Sequence, residues 1–326
     1  MPENNLLSIG TFDVNNYGDL LFPKLVQKKL PDFNIQAISP TDNQPYGLTD
    51  CAPSQGIAAL LEETQHLDGV IIGGGNIIHC QPSKLEDYKQ AKRTTFAYSD
   101  LWIGASLLIP RHLPVLWNAP GVTNLFHKEQ HDLVRLALQR AQYLSVRDEG
   151  SREYLLDVWP DADISVVPDS AWALDQLWSQ NELQEAYEAL FTRLEIPQPD
   201  RTVIFHANER YLGTKSLSEV ARKLDTIADH LSARPILIAF APCHQDDKLC
   251  LALAQSMQTK PITLAQPFSL KEIAACVAFS SFYAGSSMHG FITASAFEVP
   301  AVAVAKKSMT KFEGLLNLTK LEEIVV

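Results

Sequence analysis

The sequence predicts an α/β protein made of two Rossmann-like, doubly wound domains that face each other across a cleft. Three observations predict it. Short apolar runs alternate with helix-length amphipathic segments up to residue 194, and the alternation restarts at residue 202; this pattern specifies parallel sheets with helices on both faces. A Pro-containing stretch, Ile196-Pro197-Gln198-Pro199-Asp200, separates the two series, and proline continues neither kind of element well. Glycines and polar residues gather just after the apolar runs, at the strand ends where open α/β sheets bind ligands. The expected division is 1–197 and 198–326.

In the first series, the apolar run 6–9 reads as a strand ended by Gly10. Asn15, Asn16 and Gly18 form a turn, and Asp19 is the expected N-cap of a helix whose apolar face carries Leu20, Leu21, Leu25 and Val26. Residues 35–38 make a second strand and 57–67 a helix. Val70, Ile71 and Ile72 form a buried strand that runs into Gly73, Gly74, Gly75 and Asn76. Three glycines let a ligand or another loop come close to the backbone, although their spacing matches neither the dinucleotide fingerprint nor the P-loop. The polar stretch 81–95 holds Lys84, Lys89, Lys92 and Arg93 and reads as a loop over a site or a solvated connection. A helix at 98–109 stops at Pro110, and a strand at 115–118 and a helix at 128–141 follow. The strand at 143–146 ends in Arg147, whose forked guanidinium suits a carboxylate or phosphate, or else an ion pair with Asp148 or Glu149. The strand at 164–167 runs into Pro168, Asp169 and Ser170, and 181–194 is helical.

In the second series, the strand at 202–205 ends in His206 and Asn208. A helix at 216–231 leads to a strand at 236–240 that ends near His244 and Asp246. Helix and strand then reach Leu264, and 270–279 is helical. The stretch 282–304 reads as strand, tight turn, helix, strand, with Gly285, Ser286 and Ser287 in the turn and His289 at the helix mouth. A helix start carries unpaired N–H groups and partial positive charge, and small residues let an anion approach it. His289 stands there as a proton donor or acceptor. The plainer alternative makes the serines N-caps and His289 a packed side chain. Residues 310–318 read as a last helix, packing back on the first domain.

The formal net charge of −11 argues against a general nucleic-acid binder, so any anion site must be locally positive. Five widely spaced cysteines without a C-x-x-C pair argue against a disulfide framework or a Cys-rich zinc site and fit a reducing cytosol. His206, His244, Asp246 and His289 lack the spacing of a metal-binding helix, and no metal is expected. The N-terminus lacks a basic-then-apolar leader pattern. No apolar run nears the ~18 residues of a membrane span. The expectation is a cytoplasmic chain with no integral membrane segment, compatible with peripheral membrane association.

Several motifs carry a resemblance along most of the chain: Asn15-Asn16-Tyr17-Gly18-Asp19, Gly73-Gly74-Gly75-Asn76, Ala119-Pro120-Gly121, the run from Ser145 to Ser151, Val167-Pro168-Asp169-Ser170, and Gly285-Ser286-Ser287-Met288-His289-Gly290. In this order the chain resembles the polysaccharide pyruvyl transferase family. The resemblance implies a GT-B-like architecture and transfer of pyruvyl from phosphoenolpyruvate to a hydroxyl of a cell-surface or exported glycan, often as a cyclic ketal, with no cofactor. Many members carry Arg-Leu-His where this chain has Ser287-Met288-His289, so Arg147 or a cation from the 84–93 stretch must replace that charge. The implied roles are His289, Arg147 and Asp19 in catalysis. Asn16, Gly74, Gly75, Asn76, Asp169, His206, Asn208, His244, Ser286 and Ser287 are expected to bind substrate, with the acceptor, a glycan or lipid-linked sugar, on the first domain and the donor on the second. Two other readings stand beside it: a GT-B-type glycosyltransferase using a nucleotide sugar, and an inactive glycan-binding relative, which Ser287 suggests.

Overall fold

The structure, a computed structural model, describes residues 4–61, 66–304 and 314. Its first sheet comprises β1 (Asn4–Ile9), β2 (Phe33–Ser39), β3 (Ser54–Gly56), β4 (Gly69–Gly73) and β5 (Val115–Asn118), all parallel, in the order β3-β2-β1-β4-β5. β4 is buried at every residue; strands covered on both faces read as unbroken apolar runs rather than alternating ones. A short parallel pair, β6 (Ser145–Val146) and β7 (Ser165–Val166), continues beyond β5, where the Trp117 N–H donates to the Tyr143 carbonyl at 2.9 Å. The second sheet comprises β8 (Thr202–His206), β9 (Arg234–Ile238), β10 (Ile262–Leu264), β11 (Tyr283–Gly285) and β12 (Ala301–Ala303), again all parallel, in the order β10-β9-β8-β11-β12. Each sheet is flanked by helices, and the two Rossmann-like domains form a GT-B-like pair.

In both sheets the strand order reverses at one point, between β1 and β4 in the first and between β8 and β11 in the second. Connections leave such a point in opposite directions and open a crevice beyond the strands' C-terminal ends. The residues following these four strands are the polar turns singled out in the sequence.

The domains meet through an apolar seam. Tyr17, Leu20, Leu21 and Leu25 of the helix Tyr17–Lys29 share one buried cluster with Ile204, Phe240, Tyr283 and Phe291. The Tyr17 N–H donates to the Phe240 carbonyl at 2.7 Å, and its hydroxyl lies 3.0 Å from that of Thr293. Both Asp50 carboxylate oxygens accept from the first N–H groups of the helix Leu270–Ala278, Leu270 at 2.7 Å and Lys271 at 3.0 Å. The helix Gln180–Arg193 buries Leu183, Tyr187, Leu190 and Phe191 in the same cluster.

Some expectations need correction. Asn16, not Asp19, is the N-cap residue of the first helix. Asp19 is the third helical residue, and its Oδ2 accepts from the side chains of Thr11 and Asn16 at 3.0 and 2.9 Å. Strand β3 escaped notice because Ser54-Gln55-Gly56 carries no apolar signal. The stretch 81–95 is not a simple loop: it contains the helix Glu86–Gln90, anchored by the fully buried Tyr88, whose hydroxyl donates to Asp13 at 2.8 Å. The helix at 98–109 contains a π-turn, Asp100–Gly104. Residues 170–176 form a 3-10 helix, Ser170–Gln176, not foreseen in the sequence. Of the expected helix 57–67, Ile57–Leu61 is a 3-10 turn and 62–65 lie outside the described residues. The expected helix 310–318 also lies outside them except for Gly314, which packs against Asp148.

Candidate active site

A cavity of about 270 Å³ lies where the strand ends of the two domains face each other. The first domain lines it with Thr11, Asn16 and Asp19 after β1, with Gly75, Asn76, Ile77 and His79 after β4, and with Tyr98, Thr123 and Arg147. The second domain contributes His206, Asn208 and Arg210 after β8, Phe240, Ala241, His244 and Asp246 after β9, and Ser286 to His289 after β11.

His289 is the second residue of the helix Met288–Ala296, whose N-cap Ser287 accepts from the Gly290 N–H at 3.1 Å. Its ring reaches across the seam. Phe22 meets it edge-on at 5.6 Å, and a Cβ on Gly18 would overlap it. Its Nε2 lies 3.6 Å from Oδ2 of Asp169, and the same oxygen lies 3.7 Å from Nη1 of Arg147. Arg147 is also 3.5 Å from Asp148 through Nε and donates to Asn76 Oδ1 at 3.2 Å. This placement requires Gly121, because a Cβ there would sit 2.5 Å from Asn76 Oδ1 and 2.6 Å from Arg147 Nε. Three polar atoms of this cluster, Arg147 Nε, Asp169 Oδ2 and His289 Nε2, are buried without a hydrogen-bond partner. Burial pushes the Asp169 carboxyl up, but His289, Arg147 and the Ala171 N–H outweigh it and hold the group below the usual carboxylate range. A buried carboxylate beside an arginine and supported by further hydrogen-bond donors stays ionised for this reason.

Asp19 has the opposite balance. Burial raises its carboxyl above the usual range despite the pull of His289, Thr11 and Arg147, and Asp169 adds to the rise. Its Oδ1 lies against Gly75, where a Cβ would come within 2.5 Å. Gly74 and Gly75 both have positive φ, +86° and +71°, the region that favours glycine. Gly74 faces Phe22 rather than the cavity.

On the second domain, Gly285 pairs with His206 across β11 and β8, and a Cβ at 285 would fall 2.8 Å from that of His206. The bare backbone brings Ser286 Oγ to 3.3 Å from His206 Nδ1. The other ring nitrogen is 3.0 Å from Asp246 Oδ2, which also accepts the N–H groups of Phe240 and Ala241 at 2.9 and 2.7 Å. On the first domain, the Gln81 N–H donates to Nδ1 of His79 at 3.1 Å, which leaves Nε2 to carry the ring proton. Burial pulls His79 down to about 4.

Of the residues singled out in the sequence, Asn16, Asp19, Gly75, Asn76, Arg147, His206, Asn208, His244, Ser286, Ser287 and His289 line the cavity; Gly74 and Asp169 do not. Asn208 N-caps the helix Glu209–Leu212, accepting from the Arg210 N–H at 3.1 Å. Among the described residues, no group of three His, Cys, Asp or Glu side chains is placed to hold a metal ion. Reading the sequence missed Thr11, His79, Tyr98, Thr123 and Arg210. Arg210 follows Asn208 in a polar strand-end turn, a signal that was available; Tyr98 reaches the cavity from a helix, where no strand-end rule applies.

A comparison with protein families matches residues 16–308 to polysaccharide pyruvyl transferase, a span that contains nearly every residue of this cavity. The chain belongs to the polysaccharide pyruvyl transferase family. Membership makes it, at the level of the family, a phosphoenolpyruvate-dependent pyruvyl transferase acting on a glycan. No curated protein sequence matches this pyruvyl transferase significantly. Among solved structures it is similar to a UDP-GlcNAc 2-epimerase from Methanocaldococcus jannaschii, with TM-score 0.56, 14% identity, and coverage of 99% of this chain and 88% of that one. It is also similar to S. aureus MnaA in a co-structure with UDP, with TM-score 0.56, 11% identity, and coverage of 99% and 83%. At such identities the likeness concerns the fold alone. The cations lining the transferase cavity are Arg147 and Arg210; none of Lys84, Lys89, Lys92 and Arg93 lines it.

Proposed function

We propose that this pyruvyl transferase binds phosphoenolpyruvate in the cleft at the mouth of the helix Met288–Ala296 and transfers its pyruvyl group to a sugar held by the first domain. The observation that carries this reading is the buried cluster of Arg147, Asp169 and His289, whose mutual contacts of 3.6 and 3.7 Å are too long for hydrogen bonds and leave three polar atoms without one beside the cavity. Such atoms are costly in a folded protein and call for a partner. Arg147 offers its guanidinium to an anionic oxygen of the donor. The N–H groups that open the helix, with Ser286 and Ser287, receive phosphate. Arg210 adds charge at the rim and takes up part of the role that Ser287 leaves vacant.

Attack of a sugar hydroxyl at the central carbon of phosphoenolpyruvate requires a proton on its methylene carbon. His289 supplies that proton, and Asp169 balances the charge of the protonated ring. Asp19, Asn16 and Asn76 face the acceptor sugar. Residues 1–197 form the acceptor side and 198–326 the donor side, supported by a separate sheet on either side of the stretch 196–200. No helix among the described residues is long and apolar enough to cross a membrane. The reading is of a cytoplasmic enzyme whose acceptor is a cell-surface or exported glycan, built free or on a lipid carrier met at the membrane surface, with no nucleic-acid partner.

Replacing His289 with Ala tests this. The variant should retain the wild-type circular dichroism spectrum and lose phosphate release from phosphoenolpyruvate. Turnover near wild type would remove His289 from the reaction. A thermal-shift series adds a binding test, since a ligand at 100 times its Kd stabilises the native state by about 2.7 kcal/mol. A shift with UDP-sugars and none with phosphoenolpyruvate would favour nucleotide-sugar transfer instead.

A further inference from the structure

Ser286, His206 and Asp246 form a buried line along the second domain's side of the cavity, and each contact in it has a direction. Asp246 Oδ2 accepts two backbone N–H groups besides lying 3.0 Å from His206 Nε2. A carboxylate oxygen that gathers donors acts as an acceptor, so Nε2 of His206 carries the ring proton. In the neutral ring Nδ1 is then a lone pair, and 3.3 Å from it stands the hydroxyl of Ser286. All three residues are nine-tenths or more buried, and all three line the cavity. The remaining titratable groups on the cavity wall are Asp19, His79, Tyr98, Arg147, Arg210, His244 and His289.

We propose that Ser286, His206 and Asp246 are a proton relay that deprotonates the acceptor hydroxyl, while His289 acts on the donor. This rests on the reading of the cavity as the pyruvyl-transfer site. In the first step the acceptor O–H gives its proton to Ser286 Oγ as the serine proton moves to His206 Nδ1. The acceptor oxygen bonds to the central carbon of phosphoenolpyruvate, and the methylene carbon takes the proton of His289. Asp246 balances the imidazolium formed at His206. In the second step the relay runs backwards: the proton on His206 returns through Ser286 to the departing phosphate oxygen. A second acceptor hydroxyl closes the ketal and gives its proton to His289. Two hydroxyl protons are consumed, one ending on carbon and one on phosphate, and both histidines return to their starting states. Ser286 is the residue of the relay that touches substrate; His206 and Asp246 act through it.

The test uses the full chain and follows phosphate release from phosphoenolpyruvate with a panel of methyl hexopyranosides as acceptors, and with water alone. His206→Gln should lower kcat by about 10²–10⁴-fold, the usual scale for a positioned acid or base. Ser286→Ala should lower it by about tenfold or more. His206→Gln should bind phosphoenolpyruvate within about threefold of wild type by calorimetry, because the change removes no donor-binding cation, whereas Ser286→Ala should weaken that binding as well as lower kcat, since Ser286 also receives phosphate. The acidic limb of the kcat/KM profile should flatten in His206→Gln. Ring ¹⁵N shifts of His206 in the wild-type protein should report the Nε2–H tautomer, with or without turnover. Wild-type kcat in both variants overturns the relay, as does weakened phosphoenolpyruvate binding in Ser286→Ala at unchanged kcat, or an Nδ1–H tautomer. Wild-type protein that neither binds nor consumes phosphoenolpyruvate overturns the site reading as well, and is a distinct result.

Discussion

Replacing Gly18 with Ala should disable His289 from the opposite domain. Gly18 is the second residue of the helix Tyr17–Lys29, where Ala would ordinarily favour the helix by roughly 0.5–1 kcal/mol. Here the added Cβ would overlap Nδ1, Cγ and Cε1 of the His289 ring, all nearer than the 3.0 Å that real Cβ contacts keep. Either the helix or the ring must yield. The helix is pinned next door, where the Tyr17 N–H and hydroxyl reach Phe240 and Thr293 at 2.7 and 3.0 Å. The ring is held by a 3.6 Å ion-pair contact with Asp169 and an edge contact with Phe22, so the ring moves. Losing a positioned acid then costs about 10²–10⁴ in kcat, or about 3–5 kcal/mol of barrier. Stability should fall as well, because the displaced ring leaves Asp169 buried with one fewer partner, a loss larger than the roughly 0.5–1 kcal/mol of helix propensity gained. Phosphate release and thermal unfolding, measured together, read both effects. The double variant Gly18→Ala, His289→Ala should be no slower than His289→Ala, since both changes remove one interaction. Wild-type kcat in Gly18→Ala would show that the position of the ring does not matter and would refute the reasoning.

Three further outcomes are expected. Arg147→Ala should weaken phosphoenolpyruvate binding by about tenfold or more in calorimetry, and should destabilise the fold by about 3–5 kcal/mol, because it leaves Asp169 buried beside one fewer cation; unchanged affinity would place the donor elsewhere. Burial pushes the Asp13 carboxyl from 3.8 up to about 6, against the pull of Thr41 and Tyr88. A carboxyl raised on folding contributes stability that is full below its unfolded value and lost as pH rises through its folded one, here about 3 kcal/mol lost between pH 4 and 6. Urea unfolding of wild type and Asp13→Asn across that window should diverge with this sign, and parallel curves would contradict it. Ser287→Ala removes the side-chain cap on the Gly290 N–H and should lower the stability by about 1 kcal/mol, read as a fall in Tm.

The sequence by itself determined the two parallel sheets, most strand positions and the family. Those signals are local: apolar runs such as 70–72 and 202–205 bury a strand whatever surrounds it, and Gly74 and Gly75 mark backbone that other residues avoid. It also pointed to the polar strand ends, because in a doubly wound sheet those ends face the crevice. Tertiary structure alone decided which of these residues work together. Asp169 and Arg147 lie more than 110 residues from His289 along the chain, and they meet only because the helix Tyr17–Lys29 packs its apolar face on the second domain. Asp19 looked like a helix cap; its carboxylate turns instead to Thr11 and Asn16 beside the cavity. The His206–Asp246 pair depends on β8 and β9 lying side by side. Which strands become neighbours, and how two domains close, depend on packing summed over the whole molecule, and no short stretch of sequence contains that sum.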